Sequence, residues 1–411
     1  MLTKSSFEKD VTGPLAGLRV VDMSRLVCGN VLSMQLADFG ADVIKVEPKN
    51  GDTLRAWRVA GVEIHWKAFA RNKRSLSVDF RAEGAVDLFR DMLRDADVFI
   101  ESFRPGVLEE MGLSPAELLS VNPRLIIVRI SGWGQDGPYR ERPGFGSLVE
   151  GMSGFAAITG SQDRPPSLPA APLADAFAGL SGAMAVLVAL RSVEAKRSLG
   201  QVIDLPLFDP LFSALGPQVA QHRLTGKPKA RTGSRSTTIS PRNVYETADK
   251  RWIVLTGSTQ GMTERLFAAI GRPDLISDPR FSDNSKRLEN WQVLDAIIAG
   301  YVATRSQQET LDLFVGCGVT VAPIYDSSQL ADDPHLQERG VIVDVPDDDM
   351  GEFPMTNIVP RLSATPGTLR RPAPRLGEHS VEILEGLGIA ADRIERLLTD
   401  GVVCQAGGAN A

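Results

Sequence analysis

The sequence predicts an α/β fold: a mostly parallel sheet with helices on both faces, followed by a smaller domain. Three observations predict it. Short apolar runs alternate with helical patterns through the first half of the chain. The apolar run Leu125–Ile130 leads straight into "SGWGQDGPYR", a glycine-rich loop at a strand end. From Arg223 to Arg242 the character turns basic and polar with Gly, Pro and Ser, which reads as a linker between domains.

The elements follow in order. Leu18–Met23 is a short apolar strand, and Val31–Gly40 has helical periodicity that ends on a glycine. Ala41–Glu47 and Ser75–Phe80 are the second and third strands. Gly84–Ala96 is an amphipathic helix feeding the strand Asp97–Ser102. Ser114–Val121 is a helix with Ser114 as cap and Glu117 three residues on, and it feeds the strand ending at Ser131. Pro172–Lys196, rich in Ala and Leu, is the longest helix signal, and Gly200–Asp209 is the next strand. Asn243–Ser258 reads as a hairpin, and three helix-like stretches span Thr259–Gly318. After Val321–Asp326 a long irregular stretch runs to Arg375. These features divide the chain into a large domain (1–222), a linker (223–242), a small domain (243–330) and a linker with a C-terminal return to the large domain (331–411).

Composition narrows the function. A net charge of −6 without a Lys/Arg block argues against nucleic acid as partner. The N-terminal "MLTKSSFEKDVTG" has no apolar core of a signal peptide, and no uninterrupted apolar run is long enough to span a membrane. Cys28, Cys317 and Cys404 are scattered, which suits a reducing cytoplasm. The four histidines show no metal-binding spacing, so no metal is expected. Gly132, Gly134 and Gly137 match G-x-G-x-x-G, but Pro138, Pro143, Gly144 and Gly146 make the following segment a loop. No acidic residue ends a second strand about 20 residues later, so a dinucleotide site is not supported.

One carboxylate stands out. Asp175 opens the long apolar helix among the small residues Pro172, Ala174, Ala176 and Gly179. An Asp there reads as a helix cap. The same geometry serves chemistry, since a carboxylate beside free N–H groups stays ionised and those N–H groups can hold an oxyanion. "ARNKRS" reads as a solvated turn, Cys28 as core, and the Glu378–His379 neighbours as structural.

Taken together, "LRVVDMSRLVCG", "GADVIKVEPKNGDTLR", "ARNKRSLSVDFR", "DVFIESFRPGVLEEMGL", "NPRLIIVRISGWGQDGPY", "PLADAFAGLSGAMAVLVAL", "GQVIDLPLFD" and "LGEHS" resemble the class III CoA-transferases over about Leu18–Val403. That family includes formyl-CoA:oxalate and carnitine CoA-transferases, with α-methylacyl-CoA racemases as relatives. The resemblance implies a Rossmann-like large domain that binds CoA, a smaller α+β domain, and a ring-shaped chain interlocked with a second copy in a homodimer. It implies CoA transfer from an acyl-CoA donor, succinyl-CoA among the candidates, to a carboxylic acid, with CoA thioesters as substrates and no permanently bound cofactor.

The resemblance also assigns residues. Asp175 becomes the nucleophile. Val27 and Cys28 form the strand-end turn at the reactive end of CoA, where relatives often read Ala-Gly-Pro. Val78, Asp79, Phe80 and Arg81 become the adenine-side wall, Ser102, Phe103 and Arg104 line the cofactor, and Gly144, Phe145, Gly146 and Ser147 form a loop over the site. A phosphate-binding Arg of relatives is here Glu110, which leaves Arg74, Arg81 or Arg104 as substitutes. Arg25, Arg235 and Arg242 are candidates for a distal carboxylate, and "STTISPRNVYE" lacks the glycine-rich flap of oxalate-specific members. Racemases carry a His thirty residues before the Asp; here that position is Phe145, which cannot move a proton. The alternatives to transfer are therefore a racemase with a different base, or a non-catalytic acyl-CoA-binding protein.

Overall fold

The computed structural model describes residues 2–406. It contains two compact units, the first built from residues up to Phe155, Leu168–Pro217 and the segment from His335 on, the second from Ala156–Ser167 and Gln218–Pro334.

In the first unit, strand β1 (Arg19–Asp22) runs into helix α1 (Leu26–Asp38), and β2 (Asp42–Glu47) and β3 (Lys73–Val78) follow. Helix α2 (Ala85–Leu93) leads to β4 (Val98–Glu101), and α3 (Pro115–Val121), capped by the reciprocal Ser114–Glu117 pair, leads to β5 (Ile126–Ser131). Helices α4 (Gly146–Met152) and α5 (Leu173–Glu194) precede β6 (Gln201–Pro206) and α6 (Phe208–Ala214). The strands pair in parallel in the order β3-β2-β1-β4-β5-β6. Parallel strands buried on both faces need continuous apolar runs, which is why Val20, Val21, Val98, Phe99, Ile126 and Ile127 are all fully buried. One face is covered by α2 and α3, whose Leu88, Phe89 and Leu118 pack with Ile44, Leu76 and Phe99. The other carries α1 and α5, whose Leu32, Leu36, Ala178 and Val186 pack with Val43, Val128 and Ile130.

Helix α5 has 22 residues and is apolar on nearly every face, so length and composition alone would let it cross a membrane. The uninterrupted-run criterion passed over it because Asp175, Ser181 and Arg191 break the run. One face of it packs in the core through Ala174, Ala178, Ala183, Val186 and Leu190, while Leu180, Met184 and Val188 on another stay exposed. Gly179 meets the first turn of α1, where a Cβ would touch the Cys28 carbonyl oxygen and Val31, so only glycine lets the helices approach this closely.

The second unit contains the antiparallel strands β7 (Arg242–Glu246), β8 (Trp252–Thr256) and β9 (Val321–Ile324) in the order β9-β8-β7. Helices Gln260–Ala269, Trp291–Val302 and Gln307–Gly316 pack around Ile253, Leu266, Phe267, Ile298 and Phe314. The stretch 223–242, read from composition as a linker, lies within this unit. Arg231 there donates to the carbonyls of Ala157, Ser161 and Arg164, and Arg235 stacks over the Trp291 ring at 3.3 Å.

The stretch before Arg375 is not all irregular. Strands β10 (Ile342–Asp347) and β11 (Gly351–Thr356) form a hairpin that Thr3–Lys4 extends by a third strand. Its alternation escapes a composition reading because the turn is "DDDMG" and prolines stand in both strands. Helices Ser380–Gly386 and Ala391–Thr399 then pack on the α2 face, and β12 (Val403–Cys404) joins β3 antiparallel.

Beneath α1 lies a buried ionic cluster. Lys45 Nζ is 3.3 Å from Asp22 and 3.1 Å from Asp52, and Lys73 Nζ is 3.8 Å from Asp22, with all four side chains essentially inaccessible. Removing one partner strands a buried charge. Lys45→Met should therefore destabilise the fold by about 3–5 kcal/mol, seen as a lower urea midpoint. Arg280→Ala, which breaks the exposed pair with Asp278, should leave the midpoint nearly unchanged. Equal midpoints for the two variants would contradict this role for the cluster.

Candidate active site

The order β3-β2-β1-β4-β5-β6 reverses direction between β1 and β4, and ligands of open parallel sheets bind beyond the carboxyl ends of the strands at such a switch point. A cavity of about 900 Å³ lies there, lined from β1 by Arg25–Cys28, from β4 by Ser102–Pro105, from β5 by Ser131–Gly132 and from β6 by Leu207. The Arg25 N–H donates to Ser102 Oγ at 3.0 Å and ties the two loops at the switch point together. Glu101 anchors the second loop: it accepts from the Phe103 N–H at 2.6 Å and from Arg129 Nε at 2.8 Å. Burial pushes the Glu101 carboxyl up to about 7 in spite of Arg129 and that N–H.

Asp175 enters the cavity from the first turn of α5. The helix cap is Pro172, which has no side-chain acceptor, so Asp175 is the third helical residue and not the N-cap. Its carboxylate reaches across to α1 and accepts the backbone N–H of Cys28, in that helix's first turn. Another carboxylate, Glu150 of α4, is buried and accepts the Ala174 N–H at 3.2 Å. The donors at the start of α5 are thus engaged: Leu173 N–H goes to Ala171 O, Ala174 N–H to Glu150 and Ala176 N–H to Pro172 O. They are not free to hold an oxyanion, which corrects that part of the sequence reading.

Burial pushes Asp175 up to about 6, and the charge of Glu150 adds to the shift while the Cys28 N–H opposes it. The neighbouring Cys28 thiol is driven well above its ordinary value by burial and by Asp175, so it stays a protonated core group. Gly146 faces the nucleophile candidate directly: a Cβ there would collide with Asp175 Oδ2. The site therefore has a raised, half-buried carboxylate with Glu150 and His65 also in the lining, a cluster of arginines (Arg25, Arg104, Arg140 and Arg142), and a wall of serines, small residues and the aromatics Trp57, Phe103 and Phe145. Among the described residues no three His, Cys, Asp or Glu side chains gather as a metal site. A second cavity of about 1050 Å³ lies on the far side of Thr53–Ala56, but its ions are already paired: Arg55 with Glu47 and Glu63, and Lys67 with Asp347 and Asp349.

The structure brings together Arg25, Val27, Cys28, Ser102, Phe103, Arg104, Gly144, Phe145, Gly146, Ser147 and Asp175. Two local readings change. Val27 and Cys28 belong to the first turn of α1 rather than to a loop, and Gly146 and Ser147 begin α4. Val78, Asp79, Phe80 and Arg81 do not line this cavity. Val78 is core, Phe80 packs edge-on against Phe89, and Asp79 pairs with Lys49 at 3.2 Å. Of the basic substitutes for the Glu110 position, Arg104 lines the cavity, whereas Arg74 is held by Asp42 and Glu382. Arg235 and Arg242 belong to the second unit. The sequence reading missed Trp57, His65 and Glu150, all of which line the cavity; His65 packs edge-on against Trp57 with centroids 5.6 Å apart.

Residues 15–380 match the profile of CoA-transferase family III. The chain is 38% identical over 395 residues to a succinyl-CoA--D-citramalate CoA-transferase of Chloroflexus aurantiacus, covering 95% of this chain and 98% of that enzyme. It is 34% identical over 397 residues to a succinate--glutarate CoA-transferase of Agrobacterium fabrum, with 94% and 98% covered. The crystal structure of a CAIB/BAIF family protein from Brucella suis superposes with a TM-score of 0.82 at 32% identity, covering 92% of this chain and all of that one.

Titration tests the site directly. In carbon-13 NMR of labelled carboxyls, the signal lost in Asp175→Asn should titrate near 6, the value to which burial pushes it. Gly146→Ala should displace the carboxylate from the Cys28 N–H and move that midpoint further up, because a hydrogen bond to the charged form is lost. A midpoint near 4, ordinary for an exposed Asp, would contradict this geometry.

Proposed function

The chain belongs to CoA-transferase family III and is a CoA-transferase, and from that premise we propose that Asp175 carries the exchanged groups, with succinyl-CoA as donor and a dicarboxylic acid as acceptor. The observation that carries the reading is the Asp175 carboxylate itself, raised in basicity yet ionised at neutral pH, at the floor of a cavity at the sheet's switch point.

The chemistry needs no proton transfer. An Asp175 oxygen attacks the donor thioester carbon, the C–S bond breaks, and CoA thiolate leaves behind a mixed anhydride. The thiolate then attacks the Asp175 carbonyl carbon, expels the donor's carboxylate and forms an aspartyl-CoA thioester. The acceptor carboxylate attacks that thioester and frees CoA thiolate again, leaving an anhydride between Asp175 and the acceptor. The thiolate finally attacks the acceptor's carbonyl carbon, which yields the new acyl-CoA and returns the Asp175 carboxylate. Each intermediate is an acyl group of similar reactivity, so one difficult exchange becomes four balanced ones. Phe145, which lines the cavity and cannot move a proton, suits this scheme and not a racemisation, where two proton-transferring groups must flank the α-carbon.

The acceptor class draws on two supports. Relatives are named for citramalate, malate and glutarate, all dicarboxylates. Arg25 is exposed in the cavity wall next to the helix turn that binds Asp175, in place to take a second carboxylate. The remaining CoA contacts, Val78–Arg81 included, belong to the same proposal through the family resemblance. We also propose the interlocked homodimer. Phe177, Leu180, Met184, Leu187 and Val188 form an exposed apolar stripe on α5 at helical spacing, and a stripe of this kind calls for a covering surface.

Three experiments test these proposals, two for the mechanism and one for the dimer. Asp175→Asn should abolish transfer while folding and CoA binding survive, and its melting temperature should hold or rise because a buried charge is removed. Hydroxylamine with donor acyl-CoA should inactivate the natural enzyme and leave a hydroxamate at Asp175 in peptide mapping; an active Asn variant would sink the mechanism. Light scattering should give twice the chain mass at micromolar concentration, and Met184→Glu should shift the population toward monomer. A monomeric natural protein would rule the dimer out.

A further inference from the structure

Glu150 is a buried carboxylate, 3% exposed, whose side chain accepts the backbone N–H of Ala174. Ala174 directly precedes Asp175, and α5 has no side-chain cap of its own. The cap is thus supplied from α4, a separate helix packed against α5. Glu150 also lines the same cavity as Asp175, and an acid at this place adds a second negative charge where the nucleophile already bears one.

We infer that Glu150 is a positioning residue for Asp175: it clamps the backbone of the nucleophile's turn and sets a like charge beside it. The inference rests on the reading that Asp175 is the nucleophile. In the free enzyme the two carboxylates repel each other. When Asp175 is acylated its charge is gone, because the anhydride and the thioester are neutral at that carbonyl, so the repulsion is relieved on the way to every covalent intermediate. An interaction that penalises the resting state more than the states after attack lowers the barrier between them. The same charge makes the carboxylate more basic, and the direction of its titration agrees. The other charged or titratable groups lining the cavity with Asp175 are the Cys28 thiol on α1, Arg25 after β1, His65 beside Trp57, Arg104 after β4, and Arg140 and Arg142 before α4; Asp209 lies on α6, which also packs on α4.

A structural cap and a charge-setting residue are separated by two variants. Glu150→Gln keeps an oxygen for the Ala174 N–H at nearly the same volume but removes the charge, and Glu150→Ala removes both. The measurement is kcat and kcat/KM for transfer across pH 4–9 (about five units, bracketing the ordinary carboxyl and histidine ranges), together with the melting temperature and the hydroxylamine label. For Glu150→Gln the acid limb should move to lower pH, since loss of the like charge lets Asp175 ionise sooner. Its plateau kcat should fall, by up to about tenfold for one unit of lost basicity, with the melting temperature held. Glu150→Ala should show the same limb shift together with a lower melting temperature. A Glu150→Gln enzyme with an unmoved acid limb and natural kcat, still labelled at Asp175, would overturn this inference and leave the nucleophile standing. A natural enzyme that takes no label at Asp175 would instead remove the mechanism beneath it, and this inference with it.

Discussion

The active-site geometry depends on the buried ion cluster of Asp22, Lys45, Asp52 and Lys73, because it fixes the first turn of α1. Asp52 accepts the Leu26 N–H at 2.9 Å and the Asn30 side chain at 2.9 Å, gripping that turn from both ends. Lys73 donates to the Asn30 side-chain oxygen at 2.8 Å, and Lys45 to the Ser24 carbonyl at 2.6 Å. Burial works against the Lys45 charge, but Asp22, Asp52 and Glu47 outweigh it and raise its pKa; burial, helped by the Lys45 charge, depresses Lys73 to about 7 in spite of Asp22, Asp52 and Asp38. Four ionisable groups out of water are costly, and they are tolerable because each has partners on more than one side. What they hold is strained. Leu26 sits at φ 62°, in the left-handed region that costs a residue with a side chain about 1–2 kcal/mol. The kink lets α1 begin with its N–H groups facing the cavity, so that Asp52 takes one from below and Asp175 takes another from across the cleft.

Asp175 therefore stands between opposing influences. The start of α1 favours its charge, while desolvation and Glu150 disfavour it, and the balance falls near 6. On the proposed mechanism this is a useful position, since the carboxylate attacks first and its acyl carbon is attacked afterwards. A carboxylate stabilised as strongly as Asp52, held below its ordinary range by Lys45 and several N–H groups, would be a poor nucleophile. One raised much further would be protonated at neutral pH. The contrast between these two acids, both docked on the same helix turn, comes from their surroundings: Asp52 faces lysines, and Asp175 faces another acid.

The sequence carried those parts of this arrangement that are local. The strands of the parallel sheet were legible because burial on both faces demands unbroken apolar runs such as "LIIVRI". Asp175 was legible as a candidate only through the family resemblance, because an acid at the head of a helix by itself reads as a cap. Glu150, His65 and Trp57 were not, since each reaches the cavity through packing between elements far apart in the chain. Nothing in "SLVEGM" distinguishes Glu150 from a solvated acid on a short helix. Composition also misled at 223–242 and at the hairpin of β10 and β11. Arginines bonded to backbone carbonyls and strands closed by an acidic turn both have the polar content of loops.

The resemblance placed Val78–Arg81 beside a ligand, and the structure puts Val78 in the core while Asp79 and Arg81 lie just past the end of β3. The two statements are compatible through the backbone. A segment that follows a strand's carboxyl end faces the same side of the sheet as the Asp175 cavity, two strands away from β1 in the order β3-β2-β1. Neighbouring strands lie about 4.8 Å apart, so the separation is roughly 10 Å, less than the reach of a long, flexible thioester. A ligand anchored by its reactive end at Asp175 would thus run along the row of strand ends. The identity of the side chains at 78–80 would then matter less than the polar backbone and the flanking Arg81, which is exposed.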